Sequence, residues 1–150
     1  MYSSVGLNTS CQVSAVMDDK SNIEHVFKDF IKTFVLKRWH DRLFYFLEHK
    51  KKWRWIDNMF HVDVVFDPRK MIVIENKEAS GEIVYEKLRA LGAEDTCLSL
   101  LELDRPGHMF DLKEKLIDSV GYSNETIIYC PVSRIAYWEG GHMERRILKP

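Results

Sequence analysis

Two apolar runs, His61-Val62-Asp63-Val64-Val65-Phe66-Asp67 and Met71-Ile72-Val73-Ile74-Glu75-Asn76-Lys77, flank Pro68-Arg69-Lys70. Val, Ile and Phe in short runs around a proline turn read as the two strands of a β-hairpin. Antiparallel pairing around Pro68-Arg69 then sets Asp67 against Met71 and Asp63 against Glu75. Side chains alternate between faces, so Asp63, Val65, Asp67, Met71, Val73, Glu75 and Lys77 share one side. Val62, Val64, Phe66, Ile72 and Ile74 share the other, which is wholly apolar and predicts a core face. A chain carrying such a hairpin has to build a sheet and cover it.

Helices to cover it are visible on both sides of the hairpin. Ser21-Asn22-Ile23-Glu24 has the form of a capping box, and Ile23, Phe27, Phe30 and Phe34 follow at helical spacing. The pattern resumes through Leu36, Leu43 and Leu47, predicting helix to about Lys50 with a bend near Val35. Trp53-Arg54-Trp55-Ile56 reads equally as a last helical turn or as a short first strand. Residues 80–91 predict a helix with Ile83, Val84, Leu88 and Leu91 inward and Gly92 as its stop. Residues 96–103 read as a strand, and Asp104-Arg105-Pro106-Gly107 as a turn. Asp111, with Glu114 three positions on, caps a helix ending at Gly121. Residues 126–130 and 135–138 predict two more strands, with a turn at Gly140-Gly141 before a terminal segment over 143–148. The expectation is an α/β fold, a mixed sheet flanked by helices, as one domain over 21–150 behind a flexible segment 1–20.

A hydrophobic content of 45% is enough for a real core. The formal net charge of −1 gives no global pull toward nucleic acid, so any such surface has to be local. Nothing resembles a signal peptide or a bilayer span, which predicts a soluble, cytoplasmic protein with no membrane partner. Cys11, Cys97 and Cys130 are scattered and without a Cys-x-x-Cys pair, which supports neither a disulfide framework nor a zinc ribbon. Cys130-Pro131-Val132-Ser133-Arg134 has too few residues between Cys and Arg for a phosphatase loop. The histidines show no i, i+4 metal pair, although His61 stands two residues before Asp63.

Chemistry is suggested in two places. Asp63 and Glu75 would offer hard oxygen ligands to magnesium or manganese, and Lys77, on the same face, could orient water or stabilise charge in phosphodiester hydrolysis. Asn76 points to the opposite face, and Asp67, at the turn, is too far along the strand to share an ion with Glu75. The second place is the stretch 37–55, where Lys37, Arg38, Arg42, Lys50, Lys51, Lys52 and Arg54 are interleaved with Trp39, Trp53 and Trp55. Cations for phosphates and indoles for bases are what a nucleic-acid groove requires.

An acid followed by an apolar strand ending in Glu-any-Lys, here Asp63 and Ile72-Val73-Ile74-Glu75-Asn76-Lys77, resembles the signature of the PD-(D/E)XK, or restriction-endonuclease-like, nuclease superfamily. It departs from that pattern at Val62, where many members have proline, and in lacking a glutamine on the following helix. The resemblance implies an α-β-β-β-α-β core, read over 21–103, followed here by an α-β-β tail. It also implies a divalent metal on Asp63 and Glu75, Lys77 as the catalytic lysine, and DNA or RNA as substrate. A non-catalytic protein-interaction module, of accessory or immunity type, is the alternative. It draws on the near-neutral charge and on Tyr129, Tyr137 and Trp138 as an aromatic partner surface.

Overall fold

The computed structural model describes residues 20–102, 107–122 and 124–150. The expected flexible segment 1–20, but for its last residue, lies outside them, as do Cys11 and the turn residues 104–106.

The phenylalanine spacing produces α1 (Lys20–Phe34), in which Ile23, Phe27, Phe30, Ile31 and Phe34 are all buried. The helix stops at Phe34 because the next residues join an extended segment. Val35 bridges Phe66, the Leu36 N–H donates to the Val65 carbonyl and the Asp67 N–H to that of Phe34. A 3-10 turn, Lys37–Trp39, restarts the helical path as α2 (His40–Glu48). After a second 3-10 turn, Lys50–Lys52, comes α3 (Arg54–Met59), so Trp53-Arg54-Trp55-Ile56 leads into a helix and not a strand.

The remaining elements are β1 (Met71–Val73), α4 (Gly81–Ala90), β2 (Thr96–Ser99), β3 (Met109–Asp111), α5 (Leu112–Ser119), β4 (Thr126–Cys130), β5 (Ile135–Glu139) and β6 (Arg145–Leu148). Ser80 caps α4 by accepting from the Ile83 N–H, and Asp111 caps α5 by accepting from Glu114. Gly92 and Gly121, at φ of 105° and 96°, supply the left-handed residue just past each helix. In α4, Val84 and Leu88 are buried as expected, whereas Ile83 is exposed.

The six strands form one sheet in the order β1-β6-β5-β4-β2-β3, with every neighbouring pair antiparallel. Alternation divides its side chains between two cores. Leu98, Ile127, Tyr129, Ala136, Trp138 and Leu148 pack against α1, α2 and α3. Cys97, Ile128, Cys130, Ile135, Tyr137 and Ile147 pack against α4 and α5. Helices cover both faces, which is why all five residues of β5 are buried. The expectation of an α/β fold with its sheet flanked by helices therefore holds, but the sheet is wholly antiparallel and not mixed.

Three finer expectations are corrected. The hairpin does not form: Asp63–Val65 is a 3-10 turn, and β1 pairs with β6 instead, Met71 opposite Leu148 and Val73 opposite Arg146. The shared apolar face goes with it, since Phe66 and Ile74 are buried in different cores while Val64 and Ile72 are exposed. In consequence one strand, not three, precedes α4. Tyr129, Tyr137 and Trp138 are fully buried in the central strands, so they form no partner surface. Their polar atoms are satisfied internally: Trp138 Nε1 donates to the Phe60 carbonyl at 2.9 Å and the Tyr137 hydroxyl to Glu139 at 2.6 Å.

Gly81 explains how α4 and α5 lie so close. A Cβ on it would sit 2.5 Å from the Ile117 Cα. Among the described residues, no helix is long and apolar enough to cross a membrane.

Candidate functional site

Strand register defines two ends of the sheet. At one end lie the start of β1, the end of β6, the start of β5 and the end of β4; at the other, the end of β1, the start of β6, the end of β5 and the start of β4. The charged features sort between these ends.

Asp63 faces the second end. Its carboxylate takes the Arg146 guanidinium, with Nη2 at 2.9 Å and Nε at 3.2 Å, and Arg146 lies opposite Val73 across β6 and β1. Glu75 follows β1 with its side chain 65% exposed, and its near cation is Lys77, at 3.3 Å. Asn76, between them, accepts from Arg145 Nη1 at 2.9 Å. The cross-strand pairing that was to set Asp63 against Glu75 is absent; Asp63 pairs with Arg146, which also reaches Glu144 at 3.5 Å, and Glu75 pairs with Lys77. Magnesium requires carboxylates presented to one point, and the hairpin register that was to present Asp63 and Glu75 together is not formed.

The basic stretch fares differently. Lys37, Arg38, Arg42, Lys50, Lys51, Lys52 and Arg54 are all exposed. They are carried by the two 3-10 turns, by α2 between them and by the start of α3. At 1.5 Å per residue, α2 separates the two basic turns by about 13 Å. Arg38 and Arg42 lie over the Trp39 ring, at 5.4 and 5.7 Å, and Arg54 lies over Trp55 at 5.4 Å. The indoles divide by role. Trp39 and Trp53 are half-buried against the core, Trp53 donating from Nε1 to the Leu47 carbonyl, whereas Trp55 and Tyr45 are exposed.

The basic surface also extends further than 37–55. Lys32, Lys37, His40, Asp67, Arg69 and Lys70 line a cleft of about 450 Å³ at the first end of the sheet. The Lys70 ammonium donates to the Thr33 carbonyl at 2.6 Å, and the Arg69 side chain and backbone hold Asp67 below the usual carboxylate range. Arg69 and Lys70 belong to the turn before β1, so only folding places them beside α1 and the 37–39 turn.

At the second end lies a cluster that motif spacing could not reveal. His61 Nδ1 meets Glu125 Oε1 at 2.5 Å, and His61 Nε2 meets His142 Nε2 at 3.1 Å. Gly141 allows this approach: its N–H donates to the His61 carbonyl at 3.0 Å, and a Cβ on it would overlap the imidazole. The hydrogen bond to His61 lowers the Glu125 carboxyl, while burial, and then Glu125, raises that of Asp57. Asp57, Glu102, Asp118, Glu125, Lys115 and Tyr122 are among the residues lining an adjoining cleft of about 440 Å³. Lys115 pairs with Glu102 there at 2.5 Å. The sheet thus has a cationic cleft at one end and an anionic one at the other. Among the described residues, no group of three or more His, Cys, Asp or Glu side chains is placed to hold a metal ion.

Cys97 and Cys130 are free, buried thiols, and burial pushes the first up to about 12 and the second up as well. Neither is poised as a nucleophile. No family model matches the chain, and neither a curated protein nor a solved structure matches it.

Proposed function

We propose that the protein is a non-catalytic binding module whose ligand is single-stranded nucleic acid, held along the ridge formed by α2 and the basic turns at its two ends. The observation that carries this reading is the exposure of all seven cations of the 37–54 stretch beside the exposed rings of Trp55 and Tyr45. Ammonium and guanidinium groups neutralise phosphates and release counterions, and an exposed indole offers an unpaired base a stacking face. The cleft containing Arg69 and Lys70 prolongs the same positive surface past the start of α2. With a net charge of −1 for the whole chain, attraction rests on a local surface, and this is the one the reading assigns.

The test is fluorescence anisotropy with a labelled single-stranded oligonucleotide, as DNA and as RNA. If about five phosphates are engaged, raising salt from roughly 50 to 200 mM weakens binding on the order of a hundredfold. The triple variant Lys50→Glu, Lys51→Glu, Lys52→Glu abolishes it, and Trp55→Ala costs about 1–3 kcal/mol. Binding unchanged in the triple variant, or none at low salt, overturns the reading. The nuclease resemblance shares this ligand but needs a metal-bound carboxylate pair. Magnesium-dependent cleavage of the same oligonucleotides, lost in Asp63→Ala, would replace the binding module with the enzyme.

A further inference from the structure

We propose that His61 and His142 form a site for a divalent first-row metal of the zinc or nickel class, at the turn joining β5 to β6. The two Nε2 atoms stand 3.1 Å apart. Two imidazole nitrogens on one ion, each about 2.0–2.1 Å from it, are separated by about 2.9 Å at a right angle and about 3.4 Å at the tetrahedral angle. The observed spacing falls between these, so an ion can be bound without repositioning either backbone.

The tautomer follows from the partner of the other nitrogen. A carboxylate can only accept, so the Nδ1 that meets Glu125 carries the proton, and the Nδ1–H tautomer of His61 presents a bare Nε2 lone pair. A carboxylate behind an imidazole is the arrangement that orients metal-binding histidines and raises their basicity. The His61 ring is also held in place by its fit against Gly141 and by the hydrogen bond from the Gly141 N–H to its carbonyl. His142 is exposed, which gives the ion a route in. Without metal, Nε2–H of His142 donates to Nε2 of His61; when the ion binds, that proton moves to Nδ1 of His142, so both Nε2 lone pairs face the ion. Two protein ligands leave the rest of the coordination sphere to water. Imidazole donors favour zinc, nickel or copper over magnesium, so this site differs in chemistry as well as position from the one the Glu-any-Lys motif suggested. It is independent of the nucleic-acid reading.

Isothermal titration of the full chain with zinc chloride, and separately with nickel chloride, tests the proposal. The expected result is one ion per chain at this site, undisturbed by excess magnesium and weakened at least tenfold in His142→Ala. Because His142 is exposed and its turn is already glycine-rich, that variant should fold normally. Glu125→Gln weakens binding about 10- to 100-fold through loss of the orienting carboxylate. In long-range nitrogen NMR, zinc shifts the Nε2 resonances of His61 and His142 and leaves Nδ1 of His61 protonated. Zinc bound equally by wild type and His142→Ala, or not bound at all, overturns the proposal. An unchanged affinity in Glu125→Gln removes Glu125 from it.

Discussion

Arg145 and Glu139 form an ion pair inside the layer between the sheet and α4–α5, and removing one partner should be far worse than neutralising both. Glu139 is fully buried, Arg145 is 2% exposed, and Nε of the arginine lies 3.4 Å from the carboxylate. Losing one member of a buried pair costs about 3–5 kcal/mol. Arg145→Met belongs at the lower end, because the Tyr137 hydroxyl and the Gly121 N–H still donate to Glu139, at 2.6 and 2.9 Å. We therefore expect about 3 kcal/mol, or a fall in Tm of roughly 6–12 °C at this chain length. In the double variant Glu139→Gln, Arg145→Met the buried charge is gone and the Tyr137 hydrogen bond can survive. Its cost should be within about 1 kcal/mol of wild type, the residue reflecting the lost contacts from Arg145 to Asn76 and the Met143 carbonyl. Urea unfolding at pH 7, with unchanged m-values, measures all three differences. A loss below about 1 kcal/mol in Arg145→Met, or a double variant no more stable than that single one, would refute the reasoning.

Gly81→Ala should destabilise although alanine is the better helix former. The contact with the Ile117 backbone costs about 1–3 kcal/mol by overpacking, against at most about 1 kcal/mol gained in propensity, and a thermal melt that rises instead would mean that α4 does not cross α5 so closely. In a Cys11→Ser background, Cys97 and Cys130 should resist Ellman's reagent at pH 8 and both react in guanidinium, because burial keeps them as thiols. Rapid labelling of the native protein would contradict their placement.

What could be read from the sequence was what neighbouring residues decide among themselves. Ile23, Phe27, Phe30 and Phe34 need only the helical period to reveal a buried face, and Gly92 and Gly121 stop helices by their own backbone freedom. The basic stretch was legible for the same reason: its charges are contiguous and all remain in solvent. The hairpin failed because strand partners are chosen by burial across the whole chain. The 62–66 segment has the apolar alternation of a strand, yet it turns at Asp63–Val65 and meets the end of α1, leaving β1 to β6. Tyr129, Tyr137 and Trp138 were misassigned because composition does not tell whether an aromatic strand has helices on one face or both. His61, Glu125 and His142 are separated by 64 and 81 positions from His61, so no spacing rule could join them.

The pairing of β1 with β6 also governs the order in which the protein can be made. Arg146, opposite Val73, is added 73 residues after it. At roughly 5–20 residues per second on the ribosome, β1 waits about 4–15 seconds for β6, its strand partner among the described residues, with Ile72 and Val73 facing water even in the finished fold. During that interval β4 and β5 can zip together through their short turn, while β1 stays an unpaired edge. Synthesis rate and chaperone supply should therefore influence yield through these three residues more than through the helices that precede them.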